Sequence, residues 1–435
     1  MHEPLVHILV INWNGMDHLD ACYRSLLAMP YENVRFVLID NASTDESVAF
    51  VRDTFGPDPR VQIIELNENL GWSRGNNVGI ETALAADADY IMLLNNDTAV
   101  APNMLETLIQ HAEAEPMIGC LAPKMLLFAQ PDILNSVGMA VSIVGSCWDI
   151  GLGRIDLPRW NTPRPVVGAC GGAALFRAEA IRRAGLLPSD FDIYLDDLDL
   201  CLRIWMAGYE IWSCPEATVH HKFSATMGQG EQLRRKYYLN TRNRMRLIRR
   251  NFPVSQRVAV MSRYVLGECR AVGRGLLDGE LWKLGIHVRC WQDALTHRSA
   301  GNAEKAPNGE TCPFWPLVLK RPFFFPGADL PEAGWYAPVN VSGETYRPIA
   351  RHALHETAGG PLRVTLTNCY PQFGLAEVKV QAQGRTLARL QTMTQQHCCI
   401  EAPPPAIELV GKRIFDAEQT GLRHDTGGWI SITPS

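Results

Sequence analysis

The sequence predicts an α/β domain on a mostly parallel sheet, followed by a helical segment and a C-terminal β-sandwich. Three observations carry this. Short apolar runs rich in β-branched residues alternate with helical patterns over the first 125 residues. From about residue 233 to 297 the pattern is mainly helical. Beyond 311 it changes to short β-like runs separated by Gly and Pro. Strand–helix alternation predicts a parallel sheet covered on both faces. Closely spaced short strands with turn residues between them predict a sandwich. The expected domains are 1–250, a helical connector with linker at 251–311, and 312–435.

Taken in order, Val6–Asn12, Val34–Asp40, Val61–Asn67 and Tyr90–Asn95 read as buried strands. Ser43-Thr44-Asp45-Glu46 reads as a capping box for a helix ending near Phe55. Further helices are expected over 73–85 and 103–115. Residues 166–177 read as a glycine-containing strand, followed by a short helix closed by Gly185, and 209–214 as another strand. Residues 301–311 read as the linker. In the last domain, strands are expected at 362–366, 377–381, 407–410 and 429–432.

The 435 residues are 46% hydrophobic and 20% charged, which supports real cores and excludes a disordered chain. A formal net charge of −5 gives no indication of nucleic acid. Twelve cysteines without a CxxC spacing fit a reducing compartment better than a disulfide framework. No signal peptide and no apolar stretch of bilayer length is visible. The expected location is cytoplasmic, with peripheral contact at the inner membrane face as one use of the basic run Arg234–Arg250. That run could equally meet a pyrophosphate or form a solvated helix face.

The polar residues collect at strand ends: Asn12, Asp40, Asn67 and Asn95-Asn96-Asp97 each close an apolar run. In an open α/β sheet the carboxyl ends of the strands line the ligand crevice. Any one of these residues could simply begin a turn, but four strands ending alike point to a shared site. Asp97 could hold a divalent cation against a diphosphate, since Mg²⁺ commonly takes only one or two protein carboxylates. Tyr194-Leu195-Asp196-Asp197-Leu198-Asp199 opens a helix with apolar positions at Leu198, Cys201, Leu202, Trp205 and Met206. Acidic residues suit a helix start. Asp199 is four residues from Arg203 and should form a surface pair. Asp197 is four residues from Cys201 and should lie along the buried stripe, where a general base would justify it. In His220-His221-Lys222, after a Pro-Glu turn, one histidine should face inward.

These residues in this order resemble family 2 of the inverting glycosyltransferases, with the Rossmann-like GT-A fold, and most closely the branch containing bacterial rhamnosyltransferases. The resemblance rests on Asn12-Trp13-Asn14-Gly15, on residues 40–45 (DNASTD), on residues 68–77 (ENLGWSRGNN) and on residues 94–98 (LNNDT). It continues through Gly171-Gly172-Ala173, residues 196–203 (DDLDLCLR) and His221-Lys222. It covers roughly 5–250. It implies that Asn12, Trp13, Asp40 and Asn41 contact the nucleotide, and that Arg74 and Asn77 lie beside the pyrophosphate. Asn96 and Asp97 stand in the DxD segment, Asp97 and His221 at a metal (Mg²⁺ or Mn²⁺), and Asp196 on the acceptor side. Asp197 matches the catalytic base. Three positions depart from the family pattern: Asn95 replaces the first DxD aspartate, Asp196 replaces a glutamate, and Phe223 replaces a glycine.

The expected activity is transfer of a hexose or deoxyhexose, rhamnose included, from a nucleoside diphosphate to a glycan or glycolipid hydroxyl. Two other readings compete. An inactive relative that binds glycan through its β domain is disfavoured by intact Asp97, Asp197 and His221. A dinucleotide oxidoreductase is disfavoured because the first strand is followed by Asn12-Trp13-Asn14-Gly15 and not by GxGxxG. The oligomeric state is not legible.

Overall fold

The computed structural model describes residues 3–128, 130–143, 145, 147–152, 156, 158–222, 231–252, 254–277, 281–296, 313–314, 317–318 and nine strands between 339 and 434. The expected linker at 301–311 and Phe223 lie outside the described residues. Two compact units are present: Met1–Gly151 with Asp156–Pro322, and Leu152–Ile155 with Phe323–Ser435.

The first unit begins β1 (Val6–Asn12), α1 (Met16–Leu27), β2 (Val34–Asp40), α2 (Ser47–Thr54), β3 (Val61–Glu65), α3 (Gly71–Ala85) and β4 (Tyr90–Asn95). Then come β5 (Thr98–Val100), α4 (Met104–Ala114), β6 (Ile118–Leu127), β7 (Gln130–Ser136), β8 (Met139–Val141) and β9 (Cys147–Asp149). It continues with β10 (Ala173–Arg177), α5 (Ala178–Ala184), α6 (Asp196–Met206) and β11 (Glu210–His221). Three long helices follow, α7 (Glu231–Asn251), α8 (Val254–Leu277) and α9 (Leu281–Thr296).

One nine-stranded sheet runs in the order β3-β2-β1-β4-β10-β6-β11-β5, with β7 beside β6. The first four strands are parallel, as expected. Beyond them the sheet is mixed: β10 is antiparallel to both β4 and β6, and β11 is parallel to β6 but antiparallel to β5. The mostly parallel expectation therefore holds only for the N-terminal half.

All seven residues of β1 are buried, because helices cover both faces of the sheet. Alternate side chains divide between two cores. Leu9, Ile39 and Leu93 face one, Ile8, Val10 and Leu38 the other. Helix α3 lies tight on the first face. A Cβ added at Gly79 would overlap Ile39 Cδ1, so that position admits only hydrogen.

Several local expectations need correction. The capping box does not form: α2 starts at Ser47 without a side-chain cap. Ser43 and Asp45 are drawn instead to the loop after β1. The strand expected over 166–177 is confined to 173–177, and β11 runs on through Pro215-Glu216, so both histidines lie in a strand.

The second unit contains β12 (Val339–Val341), β13 (Glu344–Pro348), β14 (His352–Glu356), β15 (Leu362–Thr367) and β16 (Ala376–Ala382). It ends with β17 (Arg385–Thr392), β18 (Gln395–Ile400), β19 (Ala406–Gly411) and β20 (Trp429–Pro434). They form two antiparallel sheets, β12-β13-β20-β15-β18 and β14-β19-β16-β17. All four strands expected there are present.

Candidate active site

Parallel register gathers the strand ends. Asn12 pairs with Asp40 across β1 and β2, and Ile11 with Asn95 across β1 and β4. Three chain segments thus deliver Asn12, Asp40 and Asn95–Asp97 to one edge. Asn12 Nδ2 donates to Asp40 Oδ1 (3.1 Å) and Ser43 Oγ (3.1 Å), while Asn96 Nδ2 donates to Asn12 Oδ1 (2.7 Å). Asn14 and Ala42 adopt left-handed φ values of 50° and 59° beside this junction. Such strain in non-glycine residues persists where surrounding contacts fix it. Here Asn14 Oδ1 accepts from Thr44 N (2.7 Å), and Asn14 N donates to Ser43 Oγ (2.9 Å). Trp13 stands on the rim, 58% exposed.

Two of the residues expected near the nucleotide and pyrophosphate are occupied elsewhere. Asn41 accepts from Leu70 N (2.7 Å) and donates to Gly71 O (3.1 Å), which shapes the start of α3. Asn77 spends both amide atoms on the Leu187 backbone (2.9 and 3.0 Å). Arg74 is exposed, and its Nε donates to Leu70 O (3.0 Å).

Asp97 and His221 meet: Asp97 Oδ1 lies 3.1 Å from His221 Nε2. Burial would raise the Asp97 carboxyl, but the His221 imidazole alongside and the charges of His221 and His18 outweigh it, holding the group below the usual carboxylate range. His221 Nδ1 lies 2.6 Å from Asn135 Oδ1, an acceptor that fixes a proton on Nδ1. Lys222 N donates to Asp97 O (2.9 Å), and its Nζ reaches Asp17 O (3.2 Å). Asn135 was not legible as a site residue. Its only sequence signal is a polar Asn-Ser pair closing the run Ile133-Leu134.

The three aspartates of α6 sort differently from the helical-stripe expectation. Asp199 is completely buried, not at the surface. It does pair with Arg203 (2.9 Å), but Arg250 (3.4 Å) and Asn251 Nδ2 (2.7 Å) also reach it from α7. Asp196, expected on the acceptor side, is 2% exposed and accepts from Ser73 Oγ (2.6 Å), so it braces α3. Burial and the neighbouring Asp197 push its carboxyl up to about 8. Asp197 alone is half-buried. It accepts from Gly171 N (2.8 Å) and Leu198 N (2.7 Å), yet burial still raises its carboxyl above the ordinary value. A Cβ on Gly171 would stand 2.5 Å from Trp72 Cη2 and 3.2 Å from Asp197 Cβ. Trp72 Nε1 in turn donates to Asn95 Oδ1 (3.3 Å), linking the surroundings of Asp197 to the end of the strand that leads to Asp97.

The loop that presents α6 is strained. Asp192, Tyr194 and Leu195 have φ of 64°, 73° and 64°. Asn243, buried in α7, donates to the carbonyls of Phe191 (2.9 Å), Ile193 (3.0 Å) and Tyr194 (2.8 Å). Arg242 adds a bond to Phe191 O (2.9 Å), and Arg246 bonds Asp190 O and pairs with Asp293 (2.7 Å). The basic run 234–250 is therefore largely internal. Arg242, Arg246 and Arg250 face aspartates, which leaves Arg234, Arg235 and Arg249 exposed at opposite ends of the helix. No helix among the described residues is long and apolar enough to cross a membrane.

The fold defines an α/β unit whose polar residues gather at the carboxyl ends of its strands, where open α/β sheets commonly take their ligands. Residues 7–184 match the family model described as Glycosyl transferase family 2. An N-acetylglucosaminyl-diphospho-decaprenol L-rhamnosyltransferase of Mycobacterium tuberculosis is 26% identical over 242 residues, covering 50% of this chain and 76% of the relative. An uncharacterized glycosyltransferase of Haemophilus influenzae is 32% identical over 106 residues, 24% of this chain and 41% of the relative. The glycosyltransferase GlyG of Streptococcus pneumoniae is 30% identical over 120 residues, 27% of this chain and 39% of the relative. The match thus spans less than half the length of the latter two. Among solved structures, the mannosyltransferase PcManGT of Pyrobaculum calidifontis, in complex with GDP-Man and Mn²⁺, is similar with a TM-score of 0.43. It is 14% identical, over 68% of this chain and 88% of that one.

Proposed function

We propose that the chain is an inverting glycosyltransferase that uses a nucleoside-diphosphate sugar, with Asp197 as general base. The observation that carries this is the state of Asp197. Of the three aspartates on its helix it alone reaches solvent, two backbone N–H groups orient it, and burial raises its proton affinity. A sugar hydroxyl is a poor nucleophile until its proton is taken, and a positioned carboxylate of raised basicity takes it.

Asn12 and Asp40 offer buried polar groups to the nucleotide, and the exposed Trp13 offers a ring face. Asp97 and His221 fit a divalent cation, Mg²⁺ or Mn²⁺. Asp97 Oδ1 is buried 3.1 Å from His221 Nε2, and Asn135 beside Nδ1 keeps the Nε2 edge of the ring turned toward that carboxylate. Such a cation supplies charge compensation for the departing diphosphate. Lys222 adds positive charge on the same side. With Asp197 as the base and the acceptor hydroxyl as the nucleophile, the reaction is a single displacement that inverts the anomeric centre. The acceptor is a hydroxyl of a glycan or lipid-linked glycan, and the sugar a hexose or deoxyhexose. The Mycobacterium relative favours rhamnose.

The test is Asp197→Asn, which keeps the shape and removes the basicity. Donor affinity should stay within about twofold of the parent while transfer falls at least ~10²-fold. Transfer near the parental rate, or a product of retained configuration, overturns the assignment.

A further inference from the structure

We infer that Asp149 is a further sugar-binding residue, whose carboxylate accepts a hydrogen bond from a hydroxyl of one of the two sugars that meet beside Asp197. This rests on the proposed glycosyl transfer. Asp149 ends β9, which pairs with β8 through Met139, and Ile150 N donates to Gly138 O (2.8 Å). This hairpin lies between the two halves of the site. Ser136 faces the Asp149 carboxylate and directly follows Asn135, the residue that orients His221. Cys170 also faces it and directly precedes Gly171, whose N–H holds Asp197. One carboxylate is thus flanked by the strand that steers the metal-side histidine and by the loop that steers the base.

The carboxylate is incompletely satisfied. Ser136 and Cys170 hydrogen-bond the carboxylate, yet its buried Oδ1 keeps no partner at ordinary hydrogen-bond distance among the described residues. A buried acceptor is left open at a cost unless a ligand completes it. Burial, with the charge of Asp197 adding to it, raises the group to about 6, so near neutral pH it is mostly an anion that seeks a donor. The chemistry selects among the ligand's parts. A diphosphate would be repelled and a nucleobase belongs at the Asn12–Asp40 edge, whereas a sugar hydroxyl is a neutral donor that belongs between base and metal. A site built to bond a hydroxyl discriminates strongly against a ligand that lacks it.

The experiment uses the full-length protein with Mn²⁺ and compares the parent with Asp149→Ala and Asp149→Asn. One arm measures affinity for the bare nucleoside diphosphate and for the nucleoside-diphosphate sugar. The other measures the acceptor KM at saturating donor. The alanine variant should bind the bare diphosphate within about twofold of the parent. It should lose about 10- to 100-fold in one sugar arm, with a smaller loss for asparagine. Loss in the donor arm assigns the hydroxyl to the transferred sugar, and loss in the acceptor arm to the receiving sugar. The asparagine variant should melt no more than about 2 °C below the parent. Unchanged values in both arms overturn the inference. So does a fall in bare-diphosphate affinity together with a drop in melting temperature, which marks a structural residue. If the parent neither binds nor uses any nucleotide sugar, the glycosyltransferase reading itself fails, and the parent's data alone reveal it.

Discussion

At the scale of single residues, the neighbouring aspartates of α6 do opposite work. Asp196 is sealed against Ser73 and raised to about 8, whereas an unfolded aspartate titrates near ~3.9. Between those values the native chain holds a proton that the unfolded chain has lost, so this group's contribution to stability is present at low pH and disappears as pH rises through about 8. This group should therefore lower the melting temperature progressively between about pH 4 and 8, and Asp196→Asn should flatten that fall. An equal slope in both proteins would contradict the burial argument. Gly171 makes a second test. A methyl group there meets Trp72, whose ring is tied to Asn95, so Gly171→Ala should cost about 1–3 kcal/mol by denaturant titration and reduce transfer more than donor binding. The burial order expected along the helix is reversed in the structure. Helical spacing placed Asp197 inside and Asp199 outside, but Arg250 and Asn251, some fifty residues away, bury Asp199. Side-chain spacing within one helix cannot register a partner that arrives from another.

At the scale of elements, uninterrupted apolar runs were legible. Strands β1, β2 and β4 have the bounds expected from their apolar residues, because burial on both faces demands hydrophobicity at every position. Caps and polar junctions were less legible. Ser43 and Asp45 satisfy a local helix-start pattern yet bond to Asn12, Asn14 and Met16 across the loop pair, a tertiary choice with no sequence period. The basic run in α7 misled similarly, since its charges face carboxylates supplied by α9 and by residues 190–199. Asn243 is its most consequential member. Asn243→Ala removes three hydrogen bonds from carbonyls of a loop with left-handed residues, and should cost about 2–4 kcal/mol in urea denaturation. Because the loop presents Asp197, transfer should suffer more than nucleotide affinity. Parallel losses in both would show Asn243 to be a general core residue.

For the whole molecule, the division of the chain bears on truncation. The expected boundary at 311 is followed by two residues of the first unit's core, Phe314 and Val318. Phe314 stacks edge-on against Phe252 at 5.6 Å. A chain ended near residue 300 strips that ring away, a loss comparable to a buried Phe→Ala change of about 3–5 kcal/mol. A chain ended after Pro322 keeps it. We expect the longer truncate to melt well above the shorter one and to retain slow donor hydrolysis. It should lose transfer to long glycan acceptors, consistent with a role for the second unit in holding them. Full transfer by the Pro322 truncate would remove that role.

The strained loop before α6 has one more consequence, for the order in which the chain is made. The residues proposed to meet the nucleotide all precede position 98, and their strands pair with one another. Asp197 depends on a brace from helix α7, which begins at Glu231. Domains fold as synthesis proceeds, N-terminal parts first. A growing polypeptide that has not yet released α7 can thus gather its donor-recognising strands while the loop at 192–195 is free to relax. If the proposed function holds, the unfinished chain would hold a nucleotide sugar without the aligned carboxylate needed to spend it on water.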